Sequence, residues 1–278
     1  PRAIRDVYKR QPPILTRLRI RLLKELAMSL KLDDVTLAQR IAAGAGAILK
    51  GVRSGGLLRG HELGAAGDEL AQHWIASVLA AHRPDDGMLS EEAPDEVEER
   101  LSKDRVWIID PLDGTREFSN GRLDWAVHIS MVENGTPVVA AVAMPDLNRV
   151  WHTSNVRAVK GPYAKRIVIS RTRPPACADY VAHALGSELH PMGSAGAKGM
   201  SVLLGDADAY IHSGGQYEWD SCAPVGVALA AGLHCSRLDG SPLVYNQEDT
   251  YLPDLLICRK EIAGDILKAV AEFEASNK

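Results

Sequence analysis

Val106-Trp107-Ile108-Ile109-Asp110-Pro111-Leu112-Asp113-Gly114-Thr115 is an apolar run that breaks into a turn carrying two carboxylates and a hydroxyl. A short apolar run bounded by turn residues reads as a buried strand over 106–109. Pro111 has no N–H and takes itself out of the sheet ladder, and Gly114 permits a sharp backbone path. The turn leaves the Leu112 carbonyl free as a further oxygen ligand beside Asp110 and Asp113, which makes it a place to hold a divalent cation. Asp, Pro and Gly also end strands for no catalytic reason, so taken alone the string fits an ordinary turn as well as metal-assisted hydrolysis.

Working outward, apolar segments at 125–132, 138–144 and 150–152, joined by Asn134-Gly135 and by the polar stretch 145–148, predict an antiparallel meander. Upstream, apolar residues recur at three- and four-residue steps from Val35 to Leu49, predicting a helix that opens at Asp33 or Asp34 and is interrupted over 51–60. A second helix is predicted over 68–81, with Asp68 as its first residue. Beyond Gly161-Pro162, extended segments (167–170, 189–192, 209–212, near His234, 255–258) alternate with helices (175–185, 194–204, 220–231, 262–273). The expected organisation is an N-terminal α+β lobe over 32–158 that carries the metal-binding motifs and a C-terminal α/β lobe over 159–278. Residues 1–31 begin with Pro1, are rich in Arg and Lys, and lack a continuous apolar stretch; they read as a non-native or disordered leader.

The chain has 278 residues, 46% hydrophobic and 24% charged, values of an ordinary globular protein with room for a substantial core. A net charge of −4 without a basic stripe argues against a nucleic-acid polymer and for a small-molecule partner. No stretch has the length and apolarity of a membrane span. Cys177, Cys222, Cys235 and Cys258 form no C-x-x-C pair, and a reducing cytoplasm is their simplest home. None of the nine histidines shows a zinc spacing, and His128, His212 and His234, each in an apolar strand-like context, read as packing residues.

Ser90-Glu91-Glu92 precedes the opening motif, and Glu218-Trp219-Asp220-Ser221 stands far downstream, before the small-residue run 222–232. In this order the three pieces resemble the inositol-monophosphatase-like family of magnesium-dependent, lithium-sensitive phosphatases. The resemblance implies an α/β (α+β) fold, the layered α-β-α-β-α sandwich of the sugar-phosphatase type, with an antiparallel-sheet lobe followed by a smaller mixed-sheet lobe. The candidate ligands Asp68, Glu91, Asp110, Asp113 and Asp220 are all oxygen donors, which selects Mg²⁺ or Mn²⁺ over zinc. Two such carboxylates about 4 Å apart repel by roughly 4 kcal/mol at an effective dielectric near 20, so either they stand apart or a cation holds them together.

By resemblance, Glu91, Asp110 and the Leu112 carbonyl would hold one Mg²⁺ while Asp110, Asp113 and Asp220 hold a second, with Glu91 also serving a weaker third site. Thr115 is similar to the family's hydroxyl that orients the attacking water, and Asp68 matches the acid that positions it, although Gly64-Ala65-Ala66-Gly67 differs from the family's usual approach to that acid. Glu92 reads as a surface acid. The implied substrate contacts are Asp113, Gly114, Thr115, Asp220 and the turn Gly193-Ser194-Ala195. That turn opens a helix, a position suited either to an anion or to a plain cap by Ser194. Lys198 follows within the helix, either near a substrate phosphate or exposed.

Arg171-Thr172-Arg173-Pro174-Pro175 and the segments 193–198, 214–220 and 237–243 make the body, about 35–270, most similar to the CysQ-type branch as seen in actinobacteria. This implies a 3′(2′),5′-bisphosphate nucleotidase that converts 3′-phosphoadenosine 5′-phosphate to AMP and phosphate within sulfate assimilation. Dimers are common among such proteins. Two other expectations stand beside it: an inositol or fructose-1,6-bisphosphate phosphatase, and a metal-dependent sensor of a phosphorylated metabolite without turnover. The sensor predicts loss of a ligand or of Thr115, and the sequence retains them all.

Overall fold

A computed structural model describes residues 32–158 and 160–277. The expected leader lies outside the described residues. Everything below belongs to the compact unit that begins at Asp34.

Helices α1 (Asp34–Ser54) and α2 (Gly60–His82) lead into strand β1 (Gly87–Ser90), a short helix α3 (Val97–Leu101), strand β2 (Arg105–Asp113) and a single turn of helix, α4 (Thr115–Ser119). Strands β3 (Ala126–Glu133), β4 (Thr136–Met144) and β5 (Arg149–His152) complete a five-stranded sheet of order β1-β2-β3-β4-β5. The meander from β2 to β5 is antiparallel as expected, but β1 joins its edge in parallel, so this sheet too is mixed. A four-residue strand ahead of an acidic run carries too little periodicity to be read from sequence.

The second half alternates β6 (Arg166–Ser170), α5 (Ala178–Leu185), β7 (Glu188–Met192), α6 (Ala195–Leu204), β8 (Ala209–Tyr217), α7 (Glu218–Ala231), β9 (His234–Ser236), β10 (Tyr251–Cys258) and α8 (Ala263–Ser276). Its sheet has the order β7-β6-β8-β10-β9, with β6 parallel to both neighbours and β10 antiparallel to β8 and β9. The layers run α1 and α2, first sheet, α6 and α7, second sheet, α5 and α8, the sandwich that the resemblance implied.

Among the described residues, two of the apolar cores that hold these layers together lie on either side of the second sheet. Leu89, Val106, Ile108, Met200, Val225 and Ile257 belong to the one that embeds α6 and α7 between the sheets. Ile167, Val181, Ile211, Leu256 and Ile266 belong to the other, where α5 and α8 cover the outer face of the second sheet. The small-residue run 222–232 lets α7 approach closely: a Cβ on Gly226 would stand 2.7 Å from the Ala140 Cβ of β4.

Glycine marks close approach at the start of α2 as well, which is why that helix begins eight residues earlier than its apolar period suggests. A Cβ on Gly64 would meet Thr115 Cγ2 at 2.7 Å, and one on Gly67 would meet Leu49 and Leu112 at 3.0 and 3.2 Å. Each glycine costs a helix about 1 kcal/mol relative to alanine, and the packing of α2 against the turn after β2 outweighs that preference. Asp68 therefore stands in mid-helix and is buried, not at the helix start. Likewise α1 continues through 51–54, where an interruption was expected.

Candidate active site

Strand β2 runs four residues beyond Ile109, and its register against β3 slips between Asp110 and Asp113. Pro111 sits in that irregularity, where a missing N–H costs least. Asp110 and Asp113 are buried, and Asp220, third residue of α7, meets them: one carboxylate oxygen from each lies within 4.8 Å of the others. Local bonds aim these groups. Asp110 Oδ1 accepts the Leu112 N–H at 3.0 Å and Asp220 Oδ2 accepts the Tyr217 N–H at 2.6 Å.

Glu91 follows β1, its N–H bonded to the Ile109 carbonyl at 3.3 Å, and lines the same cavity as Asp113 and Asp220. It stands outside the tight three-carboxylate group. Burial, then Asp220, Glu92, Asp68 and Asp113, push its carboxyl up to about 8. Burial and the same neighbourhood hold Asp110 well above the ordinary carboxylate range and raise Asp220 to about 6. Three acids pushed toward neutrality by burial and by neighbouring carboxylates form a site that a divalent cation would relieve. The donors are carboxylate oxygens with the Leu112 carbonyl nearby, the set that Mg²⁺ or Mn²⁺ takes, so the residues present fit the metal.

Asp113 differs from the rest. Burial alone would raise its pKa, yet His128, Lys198 and Ser194 carry it below the ordinary value. Its Oδ1 accepts the Ala195 N–H at 3.0 Å, and its Oδ2 accepts the Gly196 N–H at 2.7 Å and the Ser194 hydroxyl. The N-terminus of α6 is thus occupied by the protein's own carboxylate. Gly193 donates to Asp124 at 2.9 Å, and Ser194 also caps α6, its Oγ accepting the Ala197 N–H at 2.9 Å. The donors expected for a substrate anion at this turn are engaged by Asp113 and Asp124. Ser194 has φ 51 and ψ 129, a conformation costing about 1–3 kcal/mol that persists only where surrounding bonds over-determine it.

His128, read from sequence as a packing residue, is fully buried with Nε2 3.1 Å from Asp113 Oδ2 and Nδ1 3.2 Å from the Trp219 carbonyl. Both ring nitrogens face acceptors. His128 thereby ties the turn after β2 to the start of α7. Only its place opposite Asp110 in the β2–β3 register could have signalled this, and register is not visible in one sequence.

Thr115 opens α4, its hydroxyl donating to the Leu112 carbonyl at 3.1 Å and hydrogen-bonded to Asp68. Burial, then Glu92, raise the Asp68 carboxyl to about 7, partly offset by Thr115. Gly114, at φ 90, brings the turn to within 3.3 Å of the Ser194 Cβ, measured from where its own Cβ would be. Lys198 is buried, not exposed: Nζ donates to the Gly193 and Ser194 carbonyls at 3.1 and 2.6 Å and stands 5.0 Å from the Tyr210 ring centroid. Burial lowers its pKa to about 8.

Glu91, Asp113, Gly114, Thr115, Lys198 and Asp220 line one cavity of about 430 Å³, and Asp68 lines a second one that shares Thr115. The wall of the first is cationic, with Arg116, Arg171 and Arg173 beside Lys198. Arg171 is spoken for by Glu117 and Asp124, each at 2.6 Å. The absence of a side chain at Gly193 makes room for Glu117, whose Cδ would lie 2.2 Å from a Cβ there. Sequence reasoning singled out neither Glu117 nor Asp124, because each acquires its role from a partner roughly fifty or more residues away.

A cation among the carboxylates with an anion against the arginines is what hydrolysis of a phosphate ester requires, and the fold and site together define a metal-dependent phosphatase. The chain belongs to the inositol monophosphatase family, whose description matches residues 31–274. It is 50% identical over 258 residues to the 3′-phosphoadenosine 5′-phosphate phosphatase of Mycobacterium leprae, covering 87% of this chain and 95% of that protein. It is 32% identical over 199 residues to the 3′(2′),5′-bisphosphate nucleotidase CysQ of Escherichia coli, covering 67% and 81%. Among solved structures, CysQ from Bacteroides thetaiotaomicron superposes with a TM-score of 0.70 at 24% identity over 82% of this chain and 97% of that one, a likeness of fold.

Proposed function

We propose that this protein hydrolyses the 3′-phosphate of 3′-phosphoadenosine 5′-phosphate to give AMP and phosphate. The observation that carries the reading is the carboxylate group Asp110, Asp113 and Asp220 at a cavity with a cationic wall, in a chain half identical to a phosphatase named for that substrate. In this reading Glu91, Asp110 and the Leu112 carbonyl hold one Mg²⁺, Asp110, Asp113 and Asp220 hold another, and Mn²⁺ can replace them. Bound there, the metal supplies Lewis-acid polarisation of the phosphoryl group.

The protein's own residues do the rest. The Thr115 hydroxyl has one hydrogen; turned from the Leu112 carbonyl to the Asp68 carboxylate, it leaves the lone pairs free to accept a hydrogen bond from the attacking water and so fixes its line of approach. As the water gives its proton to the Thr115 oxygen, the Thr115 hydrogen passes to Asp68, poised near 7. Lys198 and Arg173, on the cavity wall, counter the charge of the substrate phosphates. Gly114 and the 193–195 turn bring backbone close to the scissile group. A cytoplasmic enzyme clearing a nucleotide by-product of sulfate assimilation is the setting in which we place this activity.

The test is phosphate release by the purified protein, with Mg²⁺ and then with EDTA, from 3′-phosphoadenosine 5′-phosphate, inositol 1-phosphate and fructose 1,6-bisphosphate side by side. Magnesium-dependent preference for the nucleotide is expected. Preference for either other ester would overturn the substrate, and no release from any would overturn the reaction.

A further inference from the structure

Strand β8 carries Tyr210, His212 and Gln216 on the wall of the same cavity, and none of them is used above. Tyr210 and His212, two apart, share one face of the strand; the bulge at Gly214 and Gly215, with φ 91 and 93, lets Gln216 line the same cavity. His212 and Gln216 are 4% and 5% exposed, yet His212 Nδ1 and Gln216 Nε2 have no hydrogen-bond partner among the described residues. Buried polar atoms are nearly always paired, so two orphans on one cavity wall mark a place built for a ligand.

The polarity of each orphan is fixed. His212 Nε2 faces the Gly215 carbonyl at 3.0 Å, so it carries the ring hydrogen. Burial lowers the His212 pKa and keeps the ring neutral, which leaves Nδ1 a lone-pair acceptor. Gln216 Nε2 is a donor only. A ligand that pairs both atoms must therefore offer a donor as well as an acceptor to this wall. A phosphate dianion offers acceptors alone and would leave Nδ1 unpaired. Within a nucleotide, the feature with fixed donor and acceptor side by side is the edge of an amino-substituted base; adenine presents its N6 amine next to N7 or N1.

We infer that His212 and Gln216 form a base-reading subsite selective for a heteroaromatic ring bearing an amino group beside a ring nitrogen. The inference rests on the nucleotide reading above and specifies how the nucleotide is told from other phosphate esters.

The experiment compares 3′-phosphoadenosine 5′-phosphate with its 6-deamino purine analogue, which lacks only the amine, on wild-type protein, His212→Phe and Gln216→Met in saturating Mg²⁺. Binding of the two corresponding 5′-monophosphate products is measured by calorimetry in parallel. Wild-type protein should favour the amino form by about tenfold in kcat/KM and in product affinity, the scale of a two-bond base contact. In each variant that ratio should collapse toward one. Wild-type turnover of both nucleotides at equal kcat/KM would overturn the inference alone, as would variants that keep the wild-type ratio. Failure to hydrolyse either nucleotide alongside magnesium-dependent release from inositol 1-phosphate would overturn the nucleotide reading and the subsite with it. Should His212→Phe fail to fold by circular dichroism, the wild-type ratio and Gln216→Met decide the matter.

Discussion

Replacing Gly196 by alanine sets helix propensity against close packing. Gly196 is the second residue of α6, and alanine there would by intrinsic preference stabilise the helix by up to about 1 kcal/mol. The added Cβ, however, would stand 2.3 Å from His128 Nε2 and 2.9 Å from the Ala126 Cβ. Ordinary contact needs about 3.5 Å, so helix and imidazole must part by on the order of 1 Å. Both neighbours are fully buried and cannot swing aside into solvent. Over-packing of this kind costs about 1–3 kcal/mol. The same retreat stretches the Ala195 and Gly196 bonds to Asp113, and a hydrogen bond to a charged group is worth about 1.5–3 kcal/mol when fully lost. After subtracting the propensity gain, a net loss of about 2–4 kcal/mol is expected, seen in urea unfolding as a lower midpoint at unchanged slope. In a His128→Ala background the methyl has room, and the cost of Gly196→Ala should shrink by at least about 1 kcal/mol. A variant as stable as the parent, or more stable, would refute the argument that the Asp113–His128–α6 contact is tightly packed.

Asp110→Asn should lower turnover more than about 100-fold while the fold survives, because on the proposed reading it removes a ligand shared by both metals and also one of the mutually repelling buried acids. Mg²⁺ should raise the melting temperature of the parent and not of this variant, which differential scanning fluorimetry reads directly. Thr115→Ala should reduce kcat more than it raises KM, since orientation of the water is felt mainly in the transition state; steady-state kinetics that show the reverse would remove Thr115 from that role. Burial works to raise Asp124, but bonds from Arg171, the Gly193 N–H and Arg122 carry it down to about 2. A carboxyl depressed in the folded state stabilises fully above its unfolded value near about 4 and loses that contribution as pH falls through about 2. The stability gap between parent and Arg171→Ala should therefore close over that window in urea titrations, with solvent screening keeping the gap small.

The candidate metal turn was legible because its residues are near neighbours in the chain: Asp110, Leu112, Asp113 and the adjoining Thr115 arrive together whatever the rest of the chain does. Glu91 and Asp220 could be joined to it only through the resemblance, since nothing local says that a short parallel strand and a helix start converge on one strand end. Hidden roles follow the same logic. His128 reads as an apolar-strand histidine until β3 is laid beside β2, and Lys198 reads as either a phosphate contact or an exposed lysine until α6 is enclosed between two sheets. Glycines misled where their role lies in another element: Gly64 and Gly67 resemble helix breakers, yet they are the places where α2 touches Thr115, Phe118 and Leu112.

Helix α7 fills the space between the sheets and lies against β2, β3 and β4. During synthesis those strands emerge long before it does; at about 5–20 residues per second the interval is on the order of ten seconds. Throughout that time the inner face of the first sheet is uncovered, and Asp110 and Asp113 lack Asp220. The same helix that brings Asp220 to the other two carboxylates also closes the core, so the nascent chain completes the proposed ion site only at the moment when its apolar face ceases to be a target for chaperones and for neighbouring nascent chains.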